Sequence, residues 1–240
     1  MQPAIILCKP QLGENIGAVA RVMANFGLSD LRIVAPRDGW PNEKALEMAA
    51  NAAVLIEKAK IYNDLQTAIA DLEFVYATSA RNREVDKTVI APRGIKLQNK
   101  TGFVFGPERT GLTNEEISLC DEIISIDVDG KYKSINLAQS VAIISYELSL
   151  RGGKADAAIQ PGLLRYARND ERELASKQEI ISMFEHLENE LDKRGFFQEA
   201  TKKPGMIANI RALLTRANLS PQEVRTMRGI IKSLADHKVE

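Results

Sequence analysis

Short runs of apolar, β-branched and aromatic residues recur through the first 150 residues, separated by longer segments with helical periodicity. The short runs predict strands, because a strand buried on both faces reads as a continuous apolar segment. Strands that alternate with helices favour an α/β domain with a mostly parallel sheet and helices on both faces. The predicted strands are residues 4–8, 31–34, 61–62, 74–77, 103–105 and 122–126.

The segments between these strands predict helices. Apolar residues of 16–26 fall on one helical face, and Gly27 is a typical residue for ending a helix. The Thr113–Glu116 segment matches a capping box, which predicts that a helix begins there. Further helices are expected at residues 43–58, 65–70 and 136–151.

The pattern changes after residue 152. Small and helix-breaking residues dominate 153–170, which we interpret as a linker between a domain at 1–152 and a helical C-terminal domain at 171–240. Strand patterns are absent from this second domain. Its predicted helices are residues 173–193, residues 204–217 and a third that begins at a capping box opened by Ser220.

Charge is balanced over the whole chain, with 32 Lys and Arg against 32 Asp and Glu, but it is unevenly spread. Residues 201–240 hold 8 basic against 3 acidic side chains. A basic tail on a neutral protein points to a polyanionic partner, although a solvated helix surface would give the same count.

The sequence lacks the patterns that are typical of several common classes of protein. The 2 cysteines, Cys8 and Cys120, form no metal-binding or disulfide pattern, so we expect no metal. The sequence lacks a long apolar run and an N-terminal export signal, so we expect a cytoplasmic protein without membrane contact. It also lacks the sequence patterns of serine hydrolases, P-loop NTPases and ordinary dehydrogenases.

Three polar clusters lie where predicted strands meet loops or helices: Asn15–Arg21, Gly106–Gly111 with Glu108, and Ser134 with Asn136. Ligands of open α/β sheets bind at such strand ends. Each cluster alone also has an ordinary structural explanation: an ion-paired arginine, a strand–turn–helix joint and an N-cap.

Together the clusters resemble the three motifs of the SpoU–TrmH family of SPOUT RNA methyltransferases, in the same order. The matching stretches read Asn-Ile-Gly-x-x-x-Arg, Phe-Gly-x-Glu-x-x-Gly-Leu and Ser-x-Asn-Leu-x-x-Ser-Val. The segment Thr78-Ser79-Ala80-Arg81 and the tail from Gly195 to Ile230 are similar to the members that methylate nucleotide 32 of the tRNA anticodon loop, a cytidine or uridine.

The resemblance implies a C-terminal trefoil knot in the α/β domain, a homodimer with active sites near the subunit interface, and tRNA as partner. It also implies S-adenosylmethionine as cofactor, with S-adenosylhomocysteine as product. The residues expected to contact the cofactor are Thr78, Ser79, Ala80, Gly106, Ile126, Lys133, Ser134 and Ile135.

The reaction that the resemblance implies moves a methyl group to a ribose 2′-hydroxyl. Arg21 matches the family's catalytic arginine, and we expect electrostatic assistance from it because a guanidinium stays protonated; a role as base is the alternative. Catalytic positions also fall on Asn15, Glu108, Ser134 and Asn136. Three other functions stay open: methylation at another tRNA or ribosomal RNA position, RNA binding without catalysis, and an enzyme using a nicotinamide nucleotide.

Overall fold

The computed structural model of the chain describes residues 2–80, 86–129, 134–151 and 174–236. Within these ranges the strands form one sheet in which each recorded pairing is parallel. The strands are β1 (Ala4–Cys8), β2 (Asp30–Val34), β3 (Lys60–Tyr62), β4 (Phe74–Thr78), β5 (Val89–Ile90), β6 (Thr101–Phe105) and β7 (Glu122–Ile124). Their order across the sheet is β3-β2-β1-β6-β4-β7-β5, so β1 lies beside β6 in the middle of the sheet.

Helices connect and cover the strands. They are α1 (Gly13–Asn25), α2 (Glu43–Ala49), α3 (Ala53–Glu57), α4 (Leu65–Ile69), α5 (Asn114–Ser118), α6 (Leu137–Arg151), α7 (Lys177–Lys193), α8 (Lys203–Thr215) and α9 (Pro221–Asp236). No helix in the described part of the chain is long and apolar enough to cross a bilayer.

Both faces of the sheet are buried. Alternate residues of β1 show this: Ile5 and Leu7 pack with α1, α2, α3 and α6, whereas Ile6 packs with α4 and α5 on the opposite face. Successive side chains of a strand point to opposite faces, so burial on both faces requires the continuous apolar runs seen in the sequence. The expected α/β sheet is confirmed.

Helices α1 and α2 approach each other very closely. A Cβ atom added at Gly17 would lie 2.4 Å from the carbonyl oxygen of Ala45, and one at Gly13 would lie 2.1 Å from the side-chain oxygen of Asn42. The missing side chains therefore allow direct contact between the helices. Asn42 caps α2 by accepting a hydrogen bond of 3.1 Å from the backbone N–H of Ala45.

The C-terminal helices dock on the α/β part. At the start of α7, the backbone N–H of Lys177 donates to Leu72 (2.7 Å) and that of Gln178 to Ala70 (3.0 Å). The Lys177 ammonium is buried in an ion pair with Asp121, which follows α5. Ile181 of α7 also joins the apolar cluster beneath the sheet, so the helical part shares a core with the α/β part.

One local expectation was wrong, and one strand was not predicted. The helix expected at 43–58 is broken into α2 and α3 by a 3₁₀ turn at Ala50–Ala52, and Ala50 has a positive φ of 48°. Strand β5 was missed because it has two residues and depends on pairing with β7 rather than on a pattern of its own.

Other expectations stay predictions. The linker falls almost wholly on residues 152–173, which lie outside the described part of the chain. The domain boundaries and the trefoil knot are likewise left as predictions.

Candidate active site

A cavity of about 530 Å³ opens at the carboxyl edge of the sheet. Its floor is formed where three neighbouring strands end, at Thr78 of β4, Phe105 of β6 and Ile124 of β7. This size is typical of pockets for nucleotide-sized ligands. The remaining lining residues are Ser79, Ala80, Gly106, Pro107, Glu108, Arg109, Gly111, Ile126, Ser134, Ile135, Leu137 and Ser140.

The loop after β6 forms one wall of the cavity, and glycines determine its path. Gly111 has a φ of 65°, and its backbone N–H donates to the carbonyl oxygen of Pro107 at 2.8 Å. A Cβ atom on Gly106 would lie 2.3 Å from the backbone nitrogen of Leu112. The loop therefore folds back on Gly106, leaving backbone rather than a side chain at the end of β6.

Glu108 joins this loop to the beginning of α1. One carboxylate oxygen accepts from the backbone N–H of Gln11 at 3.0 Å, and the other accepts from the Asn15 amide at 2.6 Å. The side-chain oxygen of Asn15 in turn accepts from the amide of Asn136 at 3.0 Å. Asn136 also caps the start of α6 by accepting from the backbone N–H of Ala138 at 2.9 Å.

This chain of hydrogen bonds unites the three polar clusters of the sequence. Each amide has its orientation determined by its neighbours, because Asn15 must donate to a carboxylate and accept from Asn136. The arrangement holds two loops and the starts of two helices beside the cavity.

Glu116 anchors the far end of the same loop. It completes the capping box of α5 by accepting from the backbone N–H of Thr113 at 2.8 Å, and it accepts from the Lys9 ammonium at 2.8 Å. Burial alone would raise the pKa of the Glu116 carboxyl, but hydrogen bonds from Lys9, Thr113 and Cys8 hold that pKa below its ordinary value.

Neither cysteine has the properties of a nucleophile. Burial, together with the neighbouring Glu116 carboxylate, raises the pKa of the Cys8 thiol far above its ordinary value, and burial raises the pKa of Cys120 to about 12. Both thiols therefore stay protonated at neutral pH. Among the described residues there is also no group of three His, Cys, Asp or Glu side chains that could hold a metal ion.

Comparison with protein families identifies the chain. The model of the SpoU rRNA methylase family matches residues 2–146, which include the whole sheet and the cavity. The chain belongs to the SpoU methylase family. A second model, the C-terminal domain of the tRNA methyltransferase TrmJ, matches residues 178–240.

Curated relatives of this SpoU methylase align over nearly their full length. The tRNA (cytidine/uridine-2′-O-)-methyltransferase TrmJ of Klebsiella pneumoniae is 32% identical over 96% of this chain and 95% of its own. The tRNA (cytidine-2′-O-)-methyltransferase TrmJ of Methanocaldococcus jannaschii is 34% identical over 95% of this chain and 98% of its own.

Solved structures agree with this assignment. The crystal structure of TrmJ from Z. mobilis ZM4 is 40% identical and covers 98% of this chain and 99% of its own, with a TM-score of 0.87. The SpoU methyltransferase AviRb from Streptomyces viridochromogenes, crystallised with the cofactor AdoMet, is 20% identical and covers 63% of this chain and 58% of its own. Its TM-score of 0.52 shows a shared fold.

Seven of the residues predicted to contact the cofactor line the cavity of the SpoU methylase: Thr78, Ser79, Ala80, Gly106, Ile126, Ser134 and Ile135. The eighth, Lys133, lies outside the described residues. Of the predicted catalytic residues, Glu108 and Ser134 line the cavity, while Asn15 and Asn136 reach it through Glu108.

Arg21 is not brought to the cavity within one chain. It is exposed on α1, does not line the cavity and makes no hydrogen bond or ion pair within the described residues. Sequence reasoning also missed two lining residues with polar or charged side chains, Arg109 and Ser140. Both belong to motif segments, but only the folded loops show that they face the cavity.

Proposed function

We propose that this protein is an S-adenosylmethionine-dependent methyltransferase that modifies a ribose 2′-hydroxyl of tRNA. The observation that carries the proposal is the convergence of three separated sequence motifs on one cavity through the hydrogen bonds of Asn15, Glu108 and Asn136. Near-full-length similarity to TrmJ proteins supports tRNA as the substrate.

The cavity has the properties that the cofactor requires. Its volume suits a nucleoside with an amino-acid side arm, and the backbone exposed at Gly106 and Ala80 can meet the edges of an adenine ring. A side chain at Gly106 would fill the space where the loop folds back. The residues proposed to hold the cofactor are Thr78, Ser79, Ala80, Gly106, Ile126, Ser134 and Ile135, with Lys133 adjacent in sequence.

The bound cofactor supplies a methyl group on a sulfonium, which becomes a thioether when the methyl is transferred, giving S-adenosylhomocysteine. The ribose oxygen gains the methyl and loses its proton, so the protein must orient the hydroxyl and stabilise the negative charge that develops on it. Asn15, Glu108 and Asn136 hold the loops in place, and Ser134 lies in the wall where it can contact either ligand.

Arg21 is the residue we propose for stabilising the developing charge and a neighbouring phosphate. Because it lies away from the cavity of its own chain, we propose that the active form is a homodimer in which Arg21 serves the partner's cavity. Exposed apolar side chains on α6 support this dimer: Tyr146 is 54% exposed and Leu150 38%. Tyr146 packs edge-on against Phe26 at the end of α1, with ring centroids 6.4 Å apart.

The C-terminal helices are proposed to contact the tRNA backbone, and the structure narrows the cations that can do so. The Arg211 guanidinium donates to both carboxylate oxygens of Glu188, and Arg216 is paired with Asp86. Of the four arginines between residues 201 and 236, Arg225 bonds the neutral Gln222 and Arg228 is exposed, so these two are the ones we propose for phosphate contacts. Nucleotide 32 of the anticodon loop, as cytidine or uridine, is the proposed target; another tRNA or ribosomal RNA position is the alternative.

Transfer of labelled methyl from S-adenosylmethionine to tRNA, followed by mapping of the methylated nucleotide, tests the proposal. We expect label at one ribose of the anticodon loop with the wild-type protein. The Arg21→Ala variant should lose at least about a hundredfold in kcat, as expected when one charge-stabilising donor is removed. Its cofactor affinity, measured by calorimetry, should stay within twofold.

Three results would contradict the proposal at different levels. Binding of tRNA without any transfer would indicate an RNA-binding protein, and binding of NAD in place of the cofactor would indicate a different enzyme. Lost cofactor affinity in Arg21→Ala would remove Arg21 from catalysis.

Mixing the Arg21→Ala protein with a cofactor-deficient Gly106→Val protein should restore activity only if Arg21 acts across the dimer.

A further inference from the structure

Helix α9 presents a polar face to solvent. On its other side Val224 and Ile231 are buried and Met227 packs against them, in the apolar cluster that α9 shares with α7. The residues of the polar face recur every three or four positions, so they form one stripe along the helix. Each residue of the stripe is exposed: Gln222, Arg225, Thr226, Gly229, Lys232 and Ser233.

Gly229, at the centre of this stripe, is not required by the fold of the described chain. It lies in the interior of a helix, where glycine is less stable than alanine. Its φ is not positive, and nothing lies within 4 Å of the position that a Cβ atom would take. A glycine in a helix is otherwise typical of a place that another molecule or backbone approaches closely. The exposed side of α9 can therefore admit a ligand close to the helix backbone.

The side chains around Gly229 indicate the charge of that ligand. Arg225 and Lys232 lie one turn before and one turn after it, and Arg228 adjoins the stripe. Arg225 donates to the neutral Gln222 at 2.8 Å, while Arg228 and Lys232 make no hydrogen bond or ion pair with the residues that the structure describes. These positive charges are not neutralised by a carboxylate of the described chain, so they favour an anionic ligand.

The length of the stripe fits a polyanion better than a single anion. A helix rises 1.5 Å per residue, so Arg225 and Lys232 are separated by about 10 Å along its axis. Successive phosphates of a nucleic-acid strand can meet both cations, whereas one small anion cannot. Thr226 and Ser233 are small, which keeps the surface low, and the first acidic residue on this side is Asp236, where the helix ends.

We propose that this face of α9 is the surface on which the phosphate backbone of the substrate RNA lies. The strand passes close to the Cα atom of Gly229, with neighbouring phosphates on Arg225 and Lys232. This inference rests on the proposed function, and it adds a contact that depends on the absence of a side chain. Contacts to phosphates carry no sequence information, so the surface holds the tRNA and leaves the choice of nucleotide to other contacts.

Equilibrium binding of unfractionated tRNA to the full-length Gly229→Gln protein tests the inference. Glutamine blocks the approach without changing the charge, and it favours a helix, so circular dichroism should show the wild-type fold. We expect the Kd for tRNA to rise about tenfold, with a salt dependence close to that of the wild type because every cation is kept. Lys232→Gln should instead lower the log–log slope by about 0.7–0.9, the value for one phosphate.

The same variants should separate binding from chemistry. None of the stripe residues lines the cavity, so kcat at saturating tRNA should stay within twofold of the wild type in Gly229→Gln, while the KM for tRNA rises with the Kd. A lower kcat with an unchanged Kd would overturn the inference.

Gly205→Gln in α8 is the matched control. Gly205 is also an exposed helical glycine with nothing within 4 Å of its Cβ position. Its neighbouring cations are neutralised, however, because Lys202 is paired with Glu199 and Lys203 with Asp192. The control should keep the Kd for tRNA within twofold. Equal weakening in the two glycine variants, or weakening in neither, would overturn the inference.

Failure of the proposed function would be visible separately. If the wild-type protein transfers no methyl to tRNA but Gly229→Gln still weakens tRNA binding, the proposed function fails and the surface stands. If methyl transfer to tRNA is normal and Gly229→Gln has the wild-type KM, the function stands and the inference is overturned. Binding to vesicles of anionic phospholipid that depends on Gly229, with tRNA binding unaffected, would also overturn it.

Discussion

Glu108 uses its negative charge to orient neighbouring groups. Its two oxygens accept from Gln11 and Asn15, both of which can only donate at these atoms. A carboxylate accepts at both of its oxygens, which explains why this motif carries an acid at position 108. The consequence is a fixed orientation for Asn15 and, through it, Asn136.

Replacing Glu108 with Gln should therefore disturb the site although the shape is preserved. The new NH₂ group would face a second donor, either the Gln11 backbone or the Asn15 amide. Loss of a hydrogen bond to a charged group costs about 1.5–3 kcal/mol, so we expect kcat to fall by about tenfold to a hundredfold. Single-turnover methyl transfer measures this change.

Glu115→Gln is the control for that variant, because Glu115 is exposed in the first turn of α5 and does not line the cavity. A fall of equal size in both variants would mean that Glu108 acts only through the general charge of the region. A normal rate in Glu108→Gln would show that the network does not position the site.

The residues of the hydrogen-bond chain through Glu108 could be predicted from the sequence, but their contacts with one another could not. Asn15, Glu108 and Asn136 stood out because polar side chains lay at the ends of apolar runs. That Asn15 lies between the other two depends on the sheet order, which places β1 beside β6. Arg109 was missed for the same reason: an exposed arginine after a glycine turn has no special pattern until the cavity beside it is seen.

At the scale of elements, the contact between α1 and α2 is determined by the absence of a side chain. Gly17 meets the carbonyl oxygen of Ala45 and the backbone nitrogen of Ala49, so two backbones touch. Backbone atoms in a helix cannot move aside as a side chain can. Because α1 carries Asn15 and Arg21, this contact also determines where the motif lies.

Gly17→Ala should destabilise the protein in spite of the higher helix propensity of alanine. The added Cβ would lie 2.4 Å from the Ala45 oxygen, so the helices must separate, at a cost of about 1–3 kcal/mol. Gly229→Ala in α9 is the matched change, since nothing lies within 4 Å of its Cβ position. It should stabilise by up to about 1 kcal/mol.

Urea denaturation of both variants measures the difference. Equal stabilisation by the two substitutions would show that α1 and α2 can separate without cost. Both variants replace a helical glycine with alanine. A difference between their free energies of unfolding therefore reports only what surrounds the added methyl group.

Local signals predicted the ends of elements better than their interiors. The capping boxes at Thr113 and Ser220 formed as expected because their partners are three residues apart. The break between α2 and α3 could not be predicted, since an alanine-rich segment favours a continuous helix. It occurs where α2 packs against Gly17, a contact between distant parts of the sequence.

At the scale of the whole molecule, the helical C-terminal part is attached by a buried ion pair. The side chains of Lys177 and Asp121 are 3% and 7% exposed, and Asp121 also accepts from the backbone of Val75 at 2.6 Å. Removing either partner would leave a buried charge without its counter-ion. We therefore expect the C-terminal helices and the sheet to unfold together.

Lys177→Met should cost about 3–5 kcal/mol in the free energy of unfolding, because the Asp121 carboxylate stays buried and unpaired. Lys193→Met, in the same helix, removes an ion pair whose lysine is 68% exposed, and should cost less than about 1 kcal/mol. Thermal and urea unfolding followed by circular dichroism measure both. Equal small losses would show that the buried pair does not hold the two parts together.

The neighbouring places of β1 and β6 have a consequence for synthesis. The two central strands are separated by nearly a hundred residues of sequence, and Ile181, later still, completes the apolar layer under them. A nascent chain emerging from the ribosome can pair the first strand with β2 early, but the other edge of the first strand stays unpaired until β6 has been made. Its exposed apolar edge in that interval is where chaperones would be needed most.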